Sequence, residues 1–190
     1  MSSPPSRRTV RWQRLDRPGV ERATLSPLEN SWHIDGRIET DFEGGPTRIR
    51  YHIRCDEVWR TQGAWVTFKQ GRTRRRLGLF VKQNEAWILD GKERTDLQGC
   101  VDFDLEVSPS TNTLPIRRLD LSVGAGREVR VAWVRFPQLT VEPTRQRYTR
   151  VSLRRYRFEN LDFGYAVELE VDDLGLVLNY PGLWARAPNP

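Results

Sequence analysis

The chain predicts a mostly β protein: a single large curved antiparallel sheet forming a half-barrel or open barrel, with meander connections and little helix. Three observations lead there. Apolar and polar residues alternate with a period of two along most of the 190 residues, the signature of strands with one buried face. The gaps between alternating runs are short and rich in Gly, Asn and Asp, which tolerate positive φ and favour hairpins. No segment repeats its apolar residues at the helical period. Roughly ten strands with one apolar face must curl or stack to bury it.

The elements follow in order. Residues 1–8 form an arginine-containing start with no apolar pattern and are expected to be disordered. Weak alternation over Trp32 to Phe42 gives a first strand. Ile49, Tyr51, Ile53 and Cys55, set between Arg48, Arg50, His52 and Arg54, give a clear one. Ala64 to Gln70, Arg74 to Lys82 and Trp87 to Asp90 continue the meander across turns at Lys69-Gln70-Gly71, Asn84-Glu85 and Asp90-Gly91. Val101, Phe103, Leu105 and Val107 alternate with Asp102, Asp104 and Glu106. After the Ser-Pro that follows, Asn112 or Thr113 can cap a brief helical turn through Pro115 to Leu119. Val129 to Phe136, Gln146 to Phe158, Phe163 to Val171 and Gly175 to Tyr180 complete the strands. Residues 9–187 therefore read as one domain, with 188–190 as a tail.

Composition excludes several classes. With 37% hydrophobic and 29% charged residues and a net charge of +6, the chain fits a globular domain. It has no run of about 18 apolar residues and no apolar core behind its first charges, so neither a membrane span nor a secretory signal is visible and a cytoplasmic location is expected. Cys55 and Cys100 lack metal-ligand spacing. His33 and His52 are the only histidines, and no nucleophile elbow or Gly-rich phosphate loop appears. No catalytic residue, metal site or cofactor is expected.

Three constellations remain. Asp102, Asp104 and Glu106 share a strand face at intervals of about 6.5–7 Å; they can serve acid–base chemistry or a divalent ion, or pair with arginines of adjacent elements. Arginine clusters stand at Arg72, Arg74, Arg75 and Arg76 and between Arg145 and Arg157. In the second, Arg150 and Arg154 fall beside Tyr148, Tyr156 and Phe158, a face suited to nucleic acid or simply solvated. Trp59, Trp65, Trp87, Trp133 and Trp184 lie in or beside strands, where they fill a core or wall an apolar pocket.

Asp-Leu-Gln-Gly-Cys-Val-Asp-Phe-Asp-Leu (Asp96 to Leu105), Ser-Pro-Ser-Thr-Asn-Thr-Leu-Pro-Ile-Arg-Arg-Leu (Ser108 to Leu119), Ala-Trp-Val-Arg-Phe-Pro-Gln-Leu (Ala132 to Leu139), Gln-Arg-Tyr-Thr-Arg (Gln146 to Arg150) and Asn-Tyr-Pro-Gly-Leu-Trp-Ala-Arg (Asn179 to Arg186) resemble, in this order, a bacterial glycolipid-binding family. The resemblance implies a curved sheet similar to that of bacterial lipoprotein-localisation carriers, and a lipid or glycolipid ligand. On that reading the concave face takes the acyl part of an amphiphile, while Asn112, Thr113, Arg117 and Arg118 meet its headgroup at the rim. Trp133, Arg135, Tyr148, Arg150, Tyr180 and Trp184 form further wall and rim. The same residues also admit an architectural role, with Arg117 and Arg118 neutralising Asp102 and Asp104. A nucleic-acid module on the Arg/Tyr face and an enzyme acting on a lipid or sugar are the alternatives; nucleic acid is the less favoured partner, and a homodimer is compatible with the pattern.

Overall fold

In the computed structural model, which describes residues 6–42 and 44–188, fifteen strands join in one sheet. The first half is a meander of β1 (Arg8–Arg14), β2 (Gly19–Leu28), β3 (Ser31–Phe42), β4 (Gly45–Asp56), β5 (Thr61–Gln70), β6 (Thr73–Val81), β7 (Trp87–Leu89) and β8 (Lys92–Glu93). A middle segment follows, with a 3-10 turn at Thr95–Leu97, β9 (Asp102–Leu105), a second turn at Ser110–Asn112 and the helix α1 (Thr113–Leu119). The second half is β10 (Gly126–Arg135), β11 (Thr140–Ser152), β12 (Arg155–Asn160), β13 (Tyr165–Val171), β14 (Val177–Tyr180) and β15 (Trp184–Ala187).

The strand order is β8-β7-β6-β5-β4-β3-β2-β1-β15-β14-β13-β12-β11-β10-β9, so the two meanders are stitched together by β1 against β15. All pairs are antiparallel except β9 with β10, which α1 connects, as a parallel pair requires a crossover. Both sheet edges, β8 and β9, are short, which limits unpaired backbone. The sheet is open, and its β9 edge comes back against the start of the interior strand β5: Thr61 N donates to Val101 O at 3.3 Å and Phe103 N to Thr61 Oγ1 at 3.0 Å.

The inner face holds the alternating apolar set, including Ile34, Ile38, Ile49, Ile53, Val66, Phe68 and Leu169, all buried. The middle segment lies inside this curve, with Leu97, Phe103, Leu105, Leu114 and Ile116 buried in the same core. Among the described residues the middle segment therefore occupies much of the concave face, leaving a pocket of about 240 Å³ between it and the sheet's second half. Of the tryptophans, Trp12, Trp59, Trp87 and Trp184 are core, and Trp12 Nε1 donates to Val177 O at 2.7 Å across the sheet.

Several expectations need correction. Strands β1, β2, β8 and β15 were not foreseen. Arg8, assigned to the disordered start, opens β1, while residues 1–5 of that start and 189–190 of the expected tail lie outside the described residues. The run from Gln146 to Phe158 is two strands, split by a turn at Leu153 and Arg154 after a bulge at Arg150–Ser152. Trp65 points outward, 45% exposed. The rings of Tyr148, Tyr156 and Phe158 face the core, so the expected aromatic–cationic surface on these strands does not form.

Candidate functional site

Glu21 is a site that sequence pattern concealed. It occupies an inward position of β2 beside Ala23 and Leu25 and is fully buried. Its Oε1 accepts hydrogen bonds from the Tyr51 hydroxyl and from Ser108 Oγ at 2.7 Å; Ser110 Oγ lies 2.7 Å from both Tyr51 Oη and Ser108 Oγ. Gly36 makes this possible. A Cβ there would stand 1.9 Å from Tyr51 Cζ, so only glycine lets the phenol ring lie across β3 to reach β2. Burial pushes the Glu21 carboxyl up to about 7, against the pull of its hydroxyl donors and of Arg14. Among the described residues its Oε2 has no hydrogen-bond partner, and neither does Arg14 Nη1.

Ser108 connects this cluster to a pocket of about 240 Å³ between the middle segment and the sheet's second half. The polar side of the pocket comprises Ser108, Asn112, Asp104, Glu106, Gln146 and Asn160. Its aromatic side comprises Trp133, Phe158, Phe163, Tyr165, Tyr180 and Trp184. The rings brace one another: Trp133 and Phe163 meet edge to face at 5.0 Å, and Tyr165, Tyr180 and Phe158 lie 6.3–6.5 Å apart. Phe163 is 55% exposed and Tyr165 39%, so the aromatic wall continues out to solvent.

The polar groups are largely committed to one another. Asp104 accepts from Thr111 Oγ1 at 2.6 Å and Gln146 Nε2 at 2.7 Å; burial raises its pKa against those two donors. Asn112 Nδ2 donates to Tyr148 Oη at 2.9 Å, and Asn160 Oδ1 accepts from Thr144 at 3.2 Å. Among the described residues, no hydrogen bond engages Asn112 Oδ1 or Asn160 Nδ2 in the pocket lining. Glu106 is answered by Arg135 Nε at 3.1 Å and Phe136 N at 2.7 Å. Among the described residues, no lysine or arginine lines this pocket.

The structure separates the residues singled out from sequence. Asn112, Trp133, Tyr180 and Trp184 converge on the pocket. Arg135 backs its wall, with Cζ 4.2 Å from the Trp133 ring centroid and 5.3 Å from that of Phe163. Tyr148 is buried behind Asn112. Thr113 is also buried and donates to Gly175 O at 3.1 Å, tying α1 to the β13–β14 turn. Arg118 makes a bidentate pair with Asp102, at 2.9 and 2.6 Å, with Asp102 at 1% and Arg118 at 17% side-chain exposure, and is architecture. Arg117 turns away, its Cζ 5.5 Å over the Trp59 ring, and shares a separate cleft with Arg150, Asp120 and Asp172. Arg150 donates to Leu121 O at 2.7 Å and Leu153 O at 3.0 Å, holding that cleft's loops. The four rim residues thus do not form one headgroup site. Asp102, Asp104 and Glu106 likewise divide among an ion pair, a hydroxyl–amide cradle and a surface arginine.

Sequence reasoning missed Glu21, Ser108, Gln146, Asn160, Phe163 and Tyr165 as members of these sites. Glu21 alone carried a signal, a carboxylate in the inward phase of an otherwise apolar strand. Burial also raises the thiols: Cys100 is pushed up to about 12 and Cys55 further, so both are unreactive core groups.

Comparison with known proteins gives concordant results. The family described as "Putative glycolipid-binding" matches residues 9–186. A crystal structure of a DUF1089 family protein from Pseudomonas aeruginosa superposes with a TM-score of 0.79 at 31% identity, covering 98% of this chain and 95% of that one. No curated protein matches. No helix among the described residues is long and apolar enough to cross a membrane.

Proposed function

The chain belongs to the family described as "Putative glycolipid-binding", and from that premise we propose that it binds a glycolipid by an uncharged sugar headgroup, held in the pocket between Asn112, Asn160 and the Trp133–Tyr180 aromatic wall. The supporting observation is the pocket's chemistry. One uncommitted atom of each of two amides faces a wall of rings, and among the described residues no lysine or arginine lines the pocket, a set suited to sugar hydroxyls and unsuited to a phosphate or sulfate. Its 240 Å³ corresponds to about eight waters at ~30 Å³ each, the scale of one sugar ring and well short of a long acyl chain. The lipid portion therefore leaves the pocket over the exposed Phe163 and Tyr165 rather than entering the part of the concave face that the middle segment fills. This differs from the expected arrangement, in which the sheet interior took the tail and Arg117 with Arg118 met the headgroup.

The test is ligand-induced stabilisation. A neutral alkyl monoglycoside at about 100 times its Kd should add about 2.7 kcal/mol, which for a domain of this size raises Tm by about 5–10 °C. A fatty acid and a phosphate-headed lipid of equal chain length should not. Trp133→Ala and Asn112→Ala should each abolish the shift. An equal response to the fatty acid, or no response to any glycoside together with an empty solvent extract by mass spectrometry, would refute the proposal.

A further inference from the structure

The outer face of the first meander carries an arrangement that no internal contact explains. The pairing register aligns Arg11 with Arg22, Arg22 with Arg37, Arg37 with Arg50, Arg50 with Thr67 and Thr67 with Arg76. Directly opposed residues share a sheet face, so five arginines stand in one row across six strands, a stripe about 24 Å long at ~4.8 Å per strand. A second row beside it aligns Arg48, Lys69 and Arg74. Like charges directly opposite each other destabilise a sheet. An acid relieves the stripe only at β3, where Glu39 lies 2.6 Å from Arg37 and 3.6 Å from Arg48, while Arg11, Arg22, Arg50 and Arg76 have no carboxylate partner among the described residues. On the stripe's other flank His52 and Trp65 stack at 6.0 Å between ring centroids, and Trp65 is 45% exposed with Phe80, 49% exposed, nearby on the same face.

We propose that this face binds a single-stranded nucleic acid laid across strands β1–β6, its phosphates on the arginine stripe and a base against Trp65. Unpaired guanidinium groups in a line match a chain of regularly spaced anions, and an exposed ring beside them is the second element of single-strand sites. The length is that of the shortest such sites, about four nucleotides. Shape separates this partner from an anionic bilayer. The stripe runs across the strands and so follows the sheet's curvature around the core; a flexible strand can follow that curve, whereas a plane meets only a few adjacent strands. The site is distinct from the sugar pocket, whose lining shares no residue with it.

The test is fluorescence anisotropy of the full chain with a labelled oligouridylate of about fifteen nucleotides across a salt series. Binding should weaken with salt with a log–log slope of about −3 to −4, from ~0.7 per neutralised phosphate. Arg22→Gln with Arg50→Gln should lower the slope magnitude by about 1.4. Trp65→Ala should weaken binding about fivefold or more. Arg147→Gln with Arg157→Gln, which removes equal charge from exposed positions of β11 and β12, should leave affinity unchanged. All these side chains are at least partly exposed, and circular dichroism and Tm confirm that each variant folds. Absence of binding at the lowest salt, equal losses in the two double variants, or sedimentation with anionic vesicles that is stronger than oligonucleotide binding and lost in the Arg22/Arg50 variant would each overturn the proposal. Glycoside-induced stabilisation of the Arg22/Arg50 variant is read separately, so the two proposals stand or fall independently.

Discussion

Replacing Glu21 by glutamine should stabilise the protein above neutral pH and flatten its pH dependence. In the folded chain the Glu21 carboxyl holds its proton up to about pH 7, against an ordinary value of 4.5. Between those limits the native state binds more protons than the unfolded state, so stability is fully present below about pH 4.5 and is lost as pH rises through 7. At 1.36 kcal/mol per pH unit the interval corresponds to about 3 kcal/mol. Glutamine keeps the Oε1 acceptor for Tyr51 and Ser108 and places an amide where Oε2 already lacks a partner. At pH 8 the variant should therefore melt about 6–12 °C higher than the parent, at ~2–4 °C per kcal/mol, and the two should converge near pH 4.5. Burial raises Asp102 and Asp104 as well, but both proteins retain these, so the difference between the curves reports Glu21. Melting followed by circular dichroism from pH 4.5 to 8.5 measures it. Parallel curves across this range would refute the assignment, because a carboxyl already ionised at pH 5 gains nothing from neutralisation.

Three further outcomes follow from particular contacts. Arg118→Met should cost about 3–5 kcal/mol by stranding the buried Asp102 carboxylate; adding Asp102→Leu should recover much of that loss in urea titrations, with glycoside uptake unchanged. Gly36→Ala should destabilise by more than the ~1–3 kcal/mol of ordinary overpacking, because the added methyl displaces Tyr51 from Glu21; a melting curve within 2 °C of the parent, at ~2–4 °C per kcal/mol, would contradict it. Gln146→Ala should free one oxygen of Asp104 in the pocket and weaken glycoside binding, read by calorimetric titration.

Most strands were legible because their inward positions are uniformly apolar: β4, with Ile49, Tyr51, Ile53 and Cys55, has its phase written in residue type. β2 was not, for two physical reasons. Its inward phase contains Glu21, whose partners come from residues 30 and 87 positions away. It also contains Pro27, tolerated because β1 pairs with β2 only as far as Leu25, leaving no ladder for the missing N–H. β15 has four residues and a partly buried pattern, too short to show a period. The antiparallel curved sheet and the brief helix at Asn112 to Leu119 were both anticipated. What stayed hidden was that the middle segment folds inward. An alternating strand ending at Ser-Pro gives no sign of whether the loop after it rims a hollow or fills it. Arg118 and Arg117, adjacent in sequence, show the cost: the helix sends one to Asp102 and the other out over Trp59. The pocket lies between that loop and the second half of the sheet, where Asn112, Trp133, Tyr180 and Trp184 were singled out from sequence while Asn160, Phe163 and Tyr165, near the β12–β13 turn, were not.

The bond from Trp12 to Val177 spans 165 residues, and with the pairing of β1 against β15 it has a consequence for biosynthesis. Strands β2 to β7 can pair as each leaves the ribosome, since each neighbour in the sheet is also the next in the chain. One side of β1 must wait for almost the entire protein to be made before β15 arrives to cover it. The two meanders should therefore form as separate units and join last, and a translational pause or truncation before Trp184 would leave β1 as an exposed edge open to pairing with another nascent chain.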